Sequence, residues 1–206
     1  MYNSLFRSLI AISLVGLSGC ASWSKPITPG EVLTGKESYL YGKFKIDAQK
    51  AWLGLDGHQT MGSVFSCVDG KKYTIRFERD QPIQVIKLNP TTCSFTEIIF
   101  TDSDGVVLSK KSSPLGLIDS VTTVPGAAYY IGDYFAVSTS TPGYNSIQFA
   151  WEVKEVNDNY GPTTAVMKEM YPNMTFFPTH NQLAEQRAWG KPAKTEKPPS
   201  YARPSQ

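Results

Sequence analysis

The chain has 206 residues, 41% hydrophobic and 18% charged, which is enough for one ordinary domain and too apolar for a disordered polymer. Twenty Lys and Arg against 18 Asp and Glu give a formal net charge of +2, which argues against nucleic-acid binding as the principal task. Two histidines and three cysteines exclude most metal frameworks, and beyond the amino terminus no run of about 18 apolar residues is available for a membrane span.

Residues 1–19 carry one charge, Arg7, ahead of the apolar run from Leu9 to Gly16. A basic start, a short apolar centre and small residues after it read as a secretory signal, because the run is too short to cross about 30 Å of hydrocarbon. The segment ends Leu17-Ser18-Gly19-Cys20, which resembles the lipobox of bacterial lipoproteins. That resemblance implies that Cys20 takes a diacylglyceryl group on its sulfur, becomes the first residue after cleavage and is acylated on its new amine. Two or three acyl chains hold a protein stably where one does so only marginally. The same resemblance, with Ala21 where the family's inner-membrane retention signal has Asp, implies the outer membrane, with the body facing the periplasm.

Cleavage there leaves 187 residues with 19 basic and 18 acidic side chains. Residues 20–36 have Ser, Pro and Gly without apolar periodicity and are expected to form a flexible tether behind the lipidated cysteine. Residues 178–206 hold five prolines and a local charge of +3 and are expected to be a mostly disordered tail, with a short helical turn around Gln182 to Trp189. The domain is therefore assigned to residues 37–177.

In chain order, Leu40, Phe44 and Ile46 alternate with Tyr41, Lys43 and Lys45, a first strand. Lys72 to Glu78 alternates without a fault, with Tyr73, Ile75 and Phe77 on one face. Ile83–Leu88, Phe95–Phe100 and Ala127–Val137 are apolar on both faces, and Ile147, Phe149, Trp151 and Val153 alternate again. Turn signals divide these runs: Asp69-Gly70, Asn89-Pro90, Asp102-Ser103-Asp104-Gly105, Pro125-Gly126 and Pro142-Gly143. The expected fold is all-β, a single antiparallel β-sandwich of about seven or eight strands. Val85 to Pro90 leading into Phe95 rhymes with Val121 to Gly126 leading into Tyr129. In that pattern the chain is similar to the transthyretin-like and carboxypeptidase-regulatory-like sandwich domains. Asn157-Asp158-Asn159 and Pro162 then open a helix over Thr163–Met170, stopped by Tyr171-Pro172. Val166 and Met170 share a face, so this helix is expected to cover an edge or end of the sandwich.

Cys67 and Cys93 remain as an even pair in an exported chain, which allows either a disulfide or two buried thiols. Neither has a CxxC partner for redox chemistry. His58, with Asp56 close by, is the only candidate for a hydrolase base, and no G-x-S-x-G elbow accompanies it. Asp102 to Gly105 lacks the closing Glu of a calcium loop and reads as a turn. Glu97, Asp133, Glu152 and Glu155 are the acids in or near strands, and their spacing pairs none of them across a cleft. No catalytic residue, metal or cofactor is expected.

Tyr129 to Phe135 places four aromatics in seven residues. On an ideal strand Tyr130 and Tyr134 flank Gly132 on one face, a candidate binding stripe for a sugar ring or peptide, or else part of the core. The expected function is that of a lipid-anchored, non-catalytic envelope protein that binds or assembles with a protein partner. The alternative is a carbohydrate or cell-wall binding module using the tyrosines; a hydrolase ranks third.

Overall fold

Alternating apolar residues with β-branched and aromatic side chains pay off only when a second sheet covers them, and two five-stranded sheets do this here. The computed structural model describes residues 23–48, 60–78, 83–101, 107–112, 119–142 and 147–189. The strands are β1 (Ser38–Ala48), β2 (Thr60–Cys67), β3 (Lys72–Glu78), β4 (Ile83–Leu88), β5 (Thr92–Thr101), β6 (Val107–Ser112), β7 (Ser120–Thr122), β8 (Ala128–Pro142), β9 (Ile147–Asn157) and β10 (Thr179–Asn181). Two helices, α1 (Tyr160–Met170) and α2 (Gln182–Trp189), come late, with a single 3-10 turn at Pro172–Met174.

The first sheet runs β10-β8-β1-β4, with β9 continuing along the same edge of β8 as β10. The second runs β3-β2-β5-β6, with β7 also on β5. The all-β sandwich expectation holds, with two corrections. Ten strands are present among the described residues, and β8 pairs in parallel with both β1 and β10. Parallel neighbours must come from distant parts of the chain, so short-range turn signals cannot reveal them.

The main core lies between the sheets. Leu40, Phe44, Tyr129, Ile131 and Tyr134 of the first sheet meet Met61, Phe65, Ile75, Phe77 and Phe100 of the second. Phe77 packs 6.1 Å from both Phe44 and Tyr134, centroid to centroid. Cys67 and Cys93 stand opposite each other in the β2–β5 register and are bonded, which settles the choice left open by the sequence.

A second apolar layer lies on the outer face of the first sheet, where α1 and the turn after it cover Tyr39, Tyr41, Val85 and Tyr130 with Met167, Tyr171 and Met174. The helix therefore covers a face, not an edge or end. Its buried side is also rotated from the expected one. Thr163, Thr164 and Met167 point inward, and Val166 is 44% exposed. Tyr41 accounts for the rotation, because its hydroxyl pairs with the Thr164 hydroxyl at 2.7 Å and draws that side of the helix to the sheet.

The domain is longer than expected at both ends. At the front, the Ser24 amide donates to the Thr74 carbonyl on β3, and the Ile27 amide donates to the Val85 carbonyl on β4. Residues 23–27 thus form a strap that crosses from one sheet to the other, with Ile27 buried, where a free tether was expected. At the back, α2 places Leu183 in the main core, and the Gln186 side-chain amide donates from Nε2 to the Ser120 carbonyl on β7. The expected tail therefore starts no earlier than residue 190. Both segments are short on apolar residues because each closes a seam with one or two anchors and some backbone bonds, which leaves no periodic pattern to read.

Candidate functional site

Tyr130 and Tyr134 do not form an exposed stripe. They are 0% and 2% exposed, and they lie on opposite faces of β8. The cause is a β-bulge. Tyr41 pairs with Tyr130 and Lys43 with Asp133, so Ile131 and Gly132 together face the single residue Gly42. Gly132 takes φ 117°, a conformation that L side chains rarely adopt. The extra residue reverses the alternation, so that Tyr134 joins Tyr129 and Ile131 in the main core while Tyr130 faces α1. Gly42 tolerates no side chain there, because a Cβ would sit 2.8 Å from the Gly132 carbonyl oxygen.

The bulge also delivers Asp133, 9% exposed, to the junction of β8, β9 and α1. The Tyr130 hydroxyl donates to its Oδ1 at 2.8 Å, the Thr163 hydroxyl lies 3.0 and 2.9 Å from its two oxygens, and the Asn159 side-chain amide donates to Oδ2 at 3.3 Å. The Asn159 backbone amide donates in turn to the Tyr130 hydroxyl at 3.2 Å. These bonds occupy both oxygens of the carboxylate and tie the start of α1 to the sheet, so the site works as a clamp.

Beyond the clamp a cleft of about 350 Å³ opens on the outer face of the first sheet. Two cross-strand rows form its floor and walls. In one, Lys43 on β1 stands beside Asp133 on β8 and Asn157 on β9; in the next, Lys45 stands beside Phe135 and Glu155. The Lys45 ammonium lies 6.0 Å from the centre of the half-buried Phe135 ring. Val137 and Thr139 extend the furrow toward Ala150, with the Glu152–Lys154 ion pair at its rim. Cations line the β1 wall, an acid lines the β9 wall, and an aromatic ring lies between them. The sequence offered no signal for this arrangement, because β1 lies some 90 residues before the consecutive strands β8 and β9 and a bulge shifts the β8 register.

The remaining candidate residues do not converge. His180 is on β10, stacked on Tyr129 with ring centres 5.1 Å apart. Glu97 lies in the β2–β5–β6 sheet, away from Asp133 and Glu155. The residues expected to carry lipid or hydrolysis, Cys20, Asp56 and His58, lie outside the described residues, as does the Asp102 to Gly105 turn. Among the described residues no three His, Cys, Asp or Glu side chains gather as metal ligands. No described helix is long and apolar enough to cross a membrane.

Five buried tyrosines resist ionisation. Burial first, then the Glu37 and Glu31 carboxylates, pushes Tyr39 up to about 12, and burial is also the leading cause of the upward shifts at Tyr41, Tyr130, Tyr134 and Tyr171. At Tyr130 the Asp133 carboxylate adds to the effect. A raised folded-state value means that the fold holds the protonated phenol. That stability is fully present below about pH 10 and is lost as pH rises through the folded-state values, at up to about 1.4 kcal/mol per pH unit for each tyrosine withheld. Ultraviolet titration should therefore show these five of the eleven tyrosines ionising only together with loss of near-ultraviolet circular dichroism. Complete ionisation with that signal intact would contradict the burial.

Architecture and cleft together describe an all-β sandwich with a helix-clamped sheet face and a mixed-charge furrow beside it. No family model matches the chain, and no curated protein matches it. Among solved structures, a leucine-rich repeat protein from Bacteroides thetaiotaomicron is similar at 14% identity and TM-score 0.32, over 54% of this chain and 14% of its own. A candidate cell adhesion protein from Bacteroides fragilis is similar at 10% identity and TM-score 0.24, over 61% of this chain and 47% of its own. Another from Bacteroides uniformis is similar at 16% identity and TM-score 0.25, over 58% and 50%. The chain thus spans half or less of the length of each of these structures.

Proposed function

We propose that this chain is a lipid-anchored bacterial envelope protein, held in the outer membrane through Cys20 and facing the periplasm, whose folded body binds another protein without catalysing a reaction. The observation that carries the reading is the furrow on the outer face of the first sheet. Lys43 and Lys45 along one wall, Glu155 along the other and Phe135 between them match the two signs of charge and apolar side chains of a polypeptide. A uniformly anionic or neutral polymer would leave one wall unmatched. Tethering to a membrane raises the local concentration of the binding face, so a shallow furrow is sufficient. The cell-wall module reading loses its residues, since Tyr130 and Tyr134 are in the interior.

The test is photocrosslinking in intact cells, with the crosslinker placed in turn at Phe135, at Lys45 and, as a control, at Glu169 on the exposed side of α1. A discrete protein adduct is expected from the first two positions and not from the third. Lys45→Glu, introduced with the crosslinker at Phe135, should weaken capture by about tenfold, the equivalent of ~1.4 kcal/mol. Attachment to cell-wall polymer from Phe135, or the same protein adduct from all three positions, overturns the reading.

A further inference from the structure

We infer that the strap at residues 23–27 docks the domain against the membrane in a fixed orientation, with the outer face of the β3-β2-β5-β6 sheet turned toward the lipid headgroups. The inference rests on lipidation of Cys20 and goes beyond it, since a lipid anchor alone leaves orientation free.

Trp23 is seated on that face. A Cβ built on Gly62 would lie 2.4 Å from the Trp23 ring, so the glycine is the socket that admits the indole. The Arg76 guanidinium lies 5.3 Å from the centre of the ring. Beside it the Ser24 amide donates to the Thr74 carbonyl at 3.0 Å, and the Thr74 amide donates back to the Ser24 hydroxyl at 2.9 Å. Only Ala21 and Ser22 separate this anchored point from Cys20. Three residue steps span at most about 11 Å even when fully extended. A free tether over residues 20–36 would instead let the body wander by about 22 Å.

The chemistry of the surrounding surface fits a phospholipid surface. Lys25, Lys71 and Lys72 are exposed around the Trp23 socket, and Lys72 shares the outer side of β3 with Thr74 and Arg76. The acids on the same surface are Glu78, which is paired with Arg76 at 3.3 Å, Asp69, which accepts from the Lys71 amide, and Glu97 on β5, in the same outer row as Val64 and Thr74. Among the described residues four cations, Lys25, Lys71, Lys72 and Arg76, outnumber these three acids, and the excess faces anionic headgroups. The orientation also serves the proposed binding role, because the furrow lies on the opposite outer face of the sandwich and points away from the bilayer.

The experiment uses full-length lipidated protein, purified from membranes and reconstituted into phosphatidylethanolamine–phosphatidylglycerol vesicles that carry a headgroup nitroxide quencher. A fluorophore is placed either at Lys72→Cys, on the outer side of β3, or at Ala165→Cys, on the exposed side of α1. Quenching is expected to be several-fold stronger at position 72. Trp23→Ala and Gly62→Leu, each introduced separately, should equalise the two positions, since one removes the indole and the other fills its socket, and neither touches the core between the sheets. Equal quenching in the unaltered protein, with the acyl mass present on Cys20, overturns the orientation and leaves the anchor standing. Absence of an acyl mass on Cys20 overturns both.

Discussion

Replacing both Cys67 and Cys93 with alanine should lower the unfolding free energy by about 3.5 kcal/mol, the chain-entropy value for a closed loop of this length. The two residues are 26 positions apart and lie directly opposite on β2 and β5, with the intervening β3 and β4 distributed between the two sheets. The bond therefore acts mainly on the unfolded chain, by holding together two strands whose native pairing already exists. Denaturant titration of the double variant, or of the native chain with and without reductant, measures the loss. The dependence on denaturant should steepen, because the unlinked chain exposes more surface on unfolding. A loss below about 1 kcal/mol would mean that β2 and β5 stay associated in the unfolded ensemble without the bond.

Asp133→Ala should destabilise by about 3 kcal/mol, and the loss should be concentrated in α1. Three donors, the hydroxyls of Tyr130 and Thr163 and the Asn159 side-chain amide, converge on the one carboxylate. Removing it leaves the buried Thr163 hydroxyl without its acceptor and takes a charge-assisted bond from Tyr130, whose hydroxyl keeps the Asn157 carbonyl at 3.1 Å, while the exposed Asn159 amide turns to water. A buried unsatisfied donor costs about 1–3 kcal/mol and a lost bond to a charged group about 1.5–3 kcal/mol. Asp133→Asn keeps the shape and one acceptor oxygen but turns a donor toward donors, so it should fall between alanine and the native residue. Hydrogen exchange separates this from a general loss of stability. Amides of α1, including that of Thr163, which bonds to the Asn159 carbonyl, should lose protection before those of β2 and β5. Uniform loss across both sheets would show that the clamp does not hold the helix independently. The cleft floor shares Asp133, so protein capture at Phe135 should fall in the alanine variant as well.

Legibility in the sequence followed the strength of local signals. β3 and β4 occupy the expected ranges Lys72–Glu78 and Ile83–Leu88, because each is a faultless or fully apolar run bounded by turn residues. The short helix at Gln182–Trp189 also lies where expected, although its burial was not visible. By contrast β2, Thr60–Cys67, carries no clean alternation, since Gly62 and Ser63 interrupt its pattern. Gly62 is there to admit Trp23, and Ser63 is enclosed between the sheets, so both choices answer to tertiary neighbours. The tyrosines of β8 were misplaced for a related reason. A single-strand reading assumes period two throughout, and the bulge at Gly132 inserts one residue to meet Gly42 on a strand some 90 positions earlier.

What the amino-acid order determined on its own was the class of the fold, because alternating apolar residues and turn chemistry act over a few residues and leave a mark in any short window. Only the tertiary structure decided where the two sheets are sealed, which face α1 covers and where the furrow opens. The strap at Trp23–Ile27, the anchor at Leu183 and the rows Lys43–Asp133–Asn157 and Lys45–Phe135–Glu155 depend on contacts between distant segments. Such contacts form through one or two side chains and shared backbone hydrogen bonds, and backbone groups are the same for almost every residue type, so the chain carries no local imprint of which of them will meet.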